Sequence, residues 1–81
     1  FYIRFMVTDK PGVLATISGI LGKHGISIAS VTQKVRNRAS TVPVIMLTHY
    51  AKERMMRLAL EKITRLSVVK NRPVAIRMEK L

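Results

Sequence analysis

FYIRFMVTDKPGVLATISGIL, residues 1–21, changes its hydrophobic period in mid-course. Phe1, Ile3, Phe5 and Val7 fall on one side of an extended chain, and Tyr2, Arg4, Met6 and Thr8 on the other. A period of two in a β-rich composition predicts a strand over residues 1–8 with one buried face. Asp9-Lys10-Pro11-Gly12 breaks the alternation. Beyond it Val13, Leu14, Ile17, Ile20 and Leu21 recur at helical spacing. Pro11 suits the first helical turn, where its missing N–H costs nothing, and Asp9 can accept from the free N–H groups of that turn. Ala15, Thr16, Ser18 and Gly19 cover the rest of this helix. They are small and uncharged, which leaves room for a backbone or another subunit to approach. Gly25 is a suitable left-handed stop after Lys23-His24.

The same reading extends outward. Ile26 to Val35 reads as a second strand, with Ile26 and Ile28 sharing a face with Ser30 and Thr32. Arg36-Asn37-Arg38-Ala39-Ser40 is a polar turn. Val42 to Tyr50 reads as a third strand. Its apolar centre, Val44-Ile45-Met46-Leu47, predicts a central strand buried on both sides, and Pro43 belongs near its start. Ala51 to Leu66 is a second helix with Met56, Ala59, Leu60, Ile63 and Leu66 as its stripe. Thr48 or His49 is its expected cap region. Glu53→Arg57 and Glu61→Arg65 are helical pairs worth about 0.3 kcal/mol each. A turn at Asn71-Arg72-Pro73 leads to a last strand from Val74. The order β-α-β-β-α-β predicts an α+β, ferredoxin-like fold: a four-stranded antiparallel sheet with two helices on one face. The other face would carry Tyr2, Met6, Ile45 and Val31, and a bare apolar sheet face predicts a partner.

The chain has 81 residues, enough for one small core. Apolar residues make up 48% and charged residues 23%, a globular balance rather than a disordered one. The uncharged stretch Pro11–Gly22 is far short of the ~20 apolar residues of a membrane span. There is no cysteine, so disulfides and thiolate metal sites are excluded, and a reducing, cytoplasmic setting is expected. The chain opens on Phe1 within an alternating run and reads as a single domain excised from a longer protein. Lys plus Arg is 15 and Asp plus Glu is 4, a net charge of +11. Such a charge raises nucleic acid as a partner. The bases are dispersed, however: Lys34, Arg36 and Arg38 in a loop, and Lys52, Arg54, Arg57, Lys62 and Arg65 along a helix. That dispersal fits a solvated basic surface better.

Catalytic equipment is thin. His24 and His49 sit near expected helix ends without an acidic partner at useful spacing. Asp9, Glu53, Glu61 and Glu79 fall on different elements. No nucleophile triad, metal cluster or phosphate loop is written in the chain. One segment has the equipment of a binding site. Thr8 to Leu14 joins a strand end to a helix start, whose N–H groups and dipole suit a carboxylate. Gly12 admits a ligand to the backbone, and Asp9 can pair with an ammonium. The pair of functions suits a free amino acid. An ordinary Asp-capped, Pro-started helix would look the same.

Thr8-Asp9-Lys10-Pro11-Gly12-Val13-Leu14, with Gly25-Ile26-Ser27-Ile28 after one helix, resembles the ACT domain family of amino-acid-binding regulatory modules. The likeness covers the whole chain. The run from Gly19 to Val31 with Gln33-Lys34, then Val42-Pro43-Val44-Ile45-Met46-Leu47-Thr48-His49, is similar to the carboxy-terminal ACT domain of homoserine dehydrogenases. Those enzymes reduce aspartate semialdehyde to homoserine with NAD(P)H. The resemblance implies that catalysis and NAD(P) belong to a catalytic domain absent here, with no cofactor in this segment. It also implies feedback control by an amino acid, threonine first, in the synthesis of threonine and methionine. ACT domains commonly pair edge to edge as homodimers or larger assemblies. Carried over by position, Asp9, Pro11, Gly12, Val13 and Leu14 would form the loop side of the effector site. Ser27, Ile28 and Ala29 would form the partner-strand side, with Gln33 as a further polar candidate. Serine-binding members carry Asn where this chain has Asp9 and Ser27, so the resemblance alone does not name the effector.

Two other readings compete. A purely structural dimerisation domain would share this sequence. An RNA-binding module shares the strand order, but such modules stack bases on aromatics of the central strands. Here aromatics total 5% and Val44-Ile45-Met46-Leu47 is aliphatic.

Overall fold

The computed structural model describes residues 1–8, 10–33, 41–70 and 72–78. The elements run β1 (Tyr2–Thr8), α1 (Val13–Lys23), β2 (Ile28–Gln33), β3 (Thr41–Thr48), α2 (Glu53–Thr64) and β4 (Val74–Ile76). The four strands form one antiparallel sheet in the order β2-β3-β1-β4. This is the expected βαββαβ arrangement. The expected turn at 36–40 lies outside the described residues.

Alternation decides which side of the sheet is dry. Ile3, Phe5 and Val7 on β1 and Val42, Val44 and Met46 on β3 are buried. They pack in one core with Val13, Ile17 and Leu21 of α1 and Met56, Ala59 and Ile63 of α2. Apart from Ala59, each of these side chains contributes about 1.5–3 kcal/mol when fully buried. β3 is central but is not buried on both sides. Pro43, Ile45 and Leu47 are only half-buried, because no helix covers their face. Pro43 stands opposite Met6, whose carbonyl accepts from the Lys70 N–H at 2.8 Å. The Met6–Pro43 pair therefore exchanges no ladder bond, and the missing N–H leaves β1 intact.

β2 corrects the expected faces. Ile28 pairs with Thr48 and Ser30 with Leu47, so Ala29 is an extra residue, a β-bulge. The bulge turns Ile28, Val31 and Gln33 toward the helix side and Ser30 and Thr32 toward the open side. Val31 thus does not belong to the open face; Tyr2, Met6 and Ile45 do. Val74 and Ile76, opposite Arg4 and Tyr2, join them there at 54% and 55% exposure.

Helix starts also differ from expectation. α1 begins at Val13, with Gly12 as N-cap at φ 83°, and among the described residues no side chain caps it. Pro11 lies in the turn before it, not in the helix. α2 is preceded by Lys52 rather than capped by Thr48 or His49, and again no side chain caps it. Gly25 takes the left-handed conformation expected of it, φ 72°. Among the described residues Glu53 meets Arg77 at 3.6 Å, and neither expected helical pair, Glu53–Arg57 or Glu61–Arg65, closes.

Candidate functional site

The β1–α1 connection opens onto a cleft of about 400 Å³. Val7 and Val44 form its floor, and Thr8, Lys10, Pro11, Gly12, Val13, Leu14, Ala15 and Gln33 its walls. The sequence dictates much of this shape. Gly12 occupies a left-handed conformation that costs an L side chain about 1–2 kcal/mol. That turn lets the chain leave β1 and enter α1 within a few residues. The Gly12 carbonyl then accepts from the Thr16 N–H and hydroxyl, both at 3.0 Å.

The helix start is polar and open. The Val13 N–H reaches the Lys10 carbonyl only at 3.5 Å, and the Leu14 and Ala15 N–H groups meet no backbone acceptor among the described residues. N–H groups at a helix start favour an anionic group. Lys10 adds a positive charge to the same wall.

The candidates named from sequence are placed as follows. Pro11, Gly12, Val13 and Leu14 line the cleft, and so does Gln33 at the far end of β2. Gln33 arrives there because the bulge sets it on the helix side, next to Val44. Asp9 lies outside the described residues. Ser27, Ile28 and Ala29 do not line this cleft. Ser27 and Ala29 are exposed at the start of β2, and the Ser27 carbonyl accepts from the His49 N–H at 2.9 Å. Lys10 and Thr8 also line the cleft, although neither stands out in the sequence as an individual residue. Their place inside the strand-to-helix segment was the available signal. His24 Nδ1–H donates to the Ile20 carbonyl at 2.8 Å, a helix-end contact.

β2 is also an edge strand. Ser30 and Thr32 face Leu47 and Ile45 across the ladder, so the N–H and C=O groups of Val31 and Gln33 point away from the sheet. Such an edge is a template for pairing with another strand.

The ACT family model matches residues 1–68, from β1 through α2. This chain belongs to the ACT domain family. ACT domains bind small amino-acid ligands. This ACT domain is 37% identical to a homoserine dehydrogenase of Pseudomonas aeruginosa over 100% of its own length and 19% of that protein's. It is 36% identical to one from Synechocystis over 96% of its own length and 18% of the other. The crystal structure of a homoserine dehydrogenase from Thiobacillus denitrificans superposes with a TM-score of 0.87 at 37% identity, over 96% of this chain and 17% of that one. The regulatory subunit of aspartate kinase from Thermus thermophilus shares the fold, with a TM-score of 0.66 at 21% identity over 90% of this chain and 47% of that one. The chain thus spans about a fifth of the homoserine dehydrogenases it matches, and corresponds to their C-terminal region. Among the described residues, no helix is long and apolar enough to cross a membrane.

Proposed function

We propose that this ACT domain is the feedback sensor of a homoserine dehydrogenase and takes a free amino acid, threonine first, between two copies of itself. The observation that carries this reading is the cleft that gathers Lys10–Leu14 and Gln33 beside an unpaired strand edge. The helix start and Lys10 suit the effector's carboxylate. Asp9 is the residue proposed to hold its ammonium. Ser27, Ile28 and Ala29, on the edge strand, would come from the second copy. NAD(P) and the reduction belong to the catalytic part of the enzyme, in the cytoplasm.

The effector acts by binding one state of the enzyme better than the other. The test is calorimetry with threonine, serine, isoleucine, methionine, lysine and homoserine, with sedimentation to report the oligomer. Saturable heat from threonine on a dimer, lost in Asp9→Ala, is the expected result. A well-folded dimer that gives no heat with any of the six would replace this reading with one of dimerisation alone.

A further inference from the structure

A second cleft, of about 420 Å³, lies between α2 and β4 and shares no residue with the first. Its floor is apolar: Phe1, Met56, Leu60, Pro73 and Ala75. Its rim carries Arg57 from α2, Arg65 at the C-terminal cap of that helix and Arg72 from the approach to β4. Two carboxylates, Glu53 and Glu61, share the α2 wall. Glu53 Oε1 is engaged by Arg77 Nε at 3.6 Å, and the Arg77 guanidinium stacks over Phe1 at 4.7 Å from the ring centre. Among the described residues, no carboxylate lies within 4.0 Å of the Arg57, Arg65 or Arg72 guanidinium. Three guanidinium groups around an apolar floor match a ligand with an apolar body and an anionic end. A few polar groups on a mostly apolar lining are the usual make-up of a small-molecule site. Arginine suits the carboxylate because its fork donates two parallel hydrogen bonds.

We infer that the cleft between α2 and β4 binds an apolar carboxylate, with Arg65 and Arg72 holding the acid group and Phe1, Met56 and Leu60 the body.

The probes are 3-phenylpropionate and its neutral amide, added to the 15N-labelled chain and followed by amide chemical shifts. The acid is expected to shift Leu60, Thr64 and Ala75 saturably, and the amide to bind at least tenfold more weakly. Arg65→Gln/Arg72→Gln should weaken the acid by a similar factor, while Arg54→Gln/Lys62→Gln, which removes equal charge outside the cleft, should leave it unchanged. All four side chains are exposed, so both variants are expected to fold. Equal binding of acid and amide would overturn the inference. So would shifts confined to Lys10–Leu14 and Gln33, or equal weakening in both double variants, which would mark unspecific attraction to a basic surface.

Discussion

Ile28 and Val31 turn toward the same side of the sheet, because Ala29 is an extra residue between Ile28 and the regular ladder. Ile28 packs against the core from the strand's start, and Gln33 reaches the Lys10–Leu14 cleft from its end. Deleting Ala29 would make the ladder regular and leave both contacts on the helix side, so the faces are tested by substitution instead. Ile28→Ala should lower stability by about 1 kcal/mol, since full burial of such a side chain is worth about 1.5–3 kcal/mol. Ser30→Ala, on the open face, should change it much less. Urea denaturation of the two variants measures this, and equal losses would mean that the bulge does not set these faces.

Two glycines of the same region should respond in opposite directions. Gly12 sits at φ 83°, so Gly12→Ala is strained even though a Cβ there would meet nothing within 4 Å. A cost of about 1–2 kcal/mol is expected. Gly19 lies inside α1 with equally open surroundings. Gly19→Ala should therefore stabilise by roughly 0.5–1 kcal/mol through helix propensity. Thermal melts of the two variants should move apart, and movement in the same direction would contradict the backbone argument.

The core can be tested where it is tightest. Ile63 is 0% exposed and shares the core with Phe5 and Leu21. Ile63→Ala should cost about 2–5 kcal/mol, depending on how far the cavity closes. Leu58, on the other side of the same helix, is 37% exposed, and Leu58→Ala should cost much less. Paired denaturation curves give the comparison; similar losses would mean that the burial assigned to α2 is wrong.

The free edge of β2 gives a test of assembly. Val31 directs its N–H away from β3, so Val31→Pro removes no bond of the single chain's ladder. It should still abolish edge-to-edge pairing, since a strand laid along β2 would lose that donor. Sedimentation of the variant should show monomers with an unchanged circular dichroism spectrum. A persistent dimer would place the interface elsewhere.

The parts of this fold that were legible in the sequence are those where one pattern acts alone. β1 alternates cleanly because a single face is covered, and α2 shows its stripe, Met56, Ala59 and Ile63, for the same reason. β2 departs from simple alternation by one residue. Nothing in Ile28-Ala29-Ser30 marks a bulge, which is set by pairing with Thr48 and Leu47 on a distant strand. The start of α1 differs because Pro11 is a common first helical residue, whereas here it lies in the turn made by the left-handed Gly12. Of the candidate site, Pro11 to Leu14 were readable from their place between strand and helix. The presence of Gln33 beside them depends on the bulge. The α2–β4 cleft left no local signal, because its rim combines residues of one helix with Arg72 from a separate segment.

The shortness of β4 has a mechanical consequence. Among the described residues it holds to β1 through only Val74, Ala75 and Ile76, while β3 holds the other side of β1 from Thr41 to Leu47. A force applied to the chain beyond Met78 would load β4 from one end and part its bonds in sequence, at low tension. The β1–β3 pairing would bear load only afterward. The domain is built to yield first at β4, whose departure dismantles one wall of the α2 cleft and spares the one beside α1.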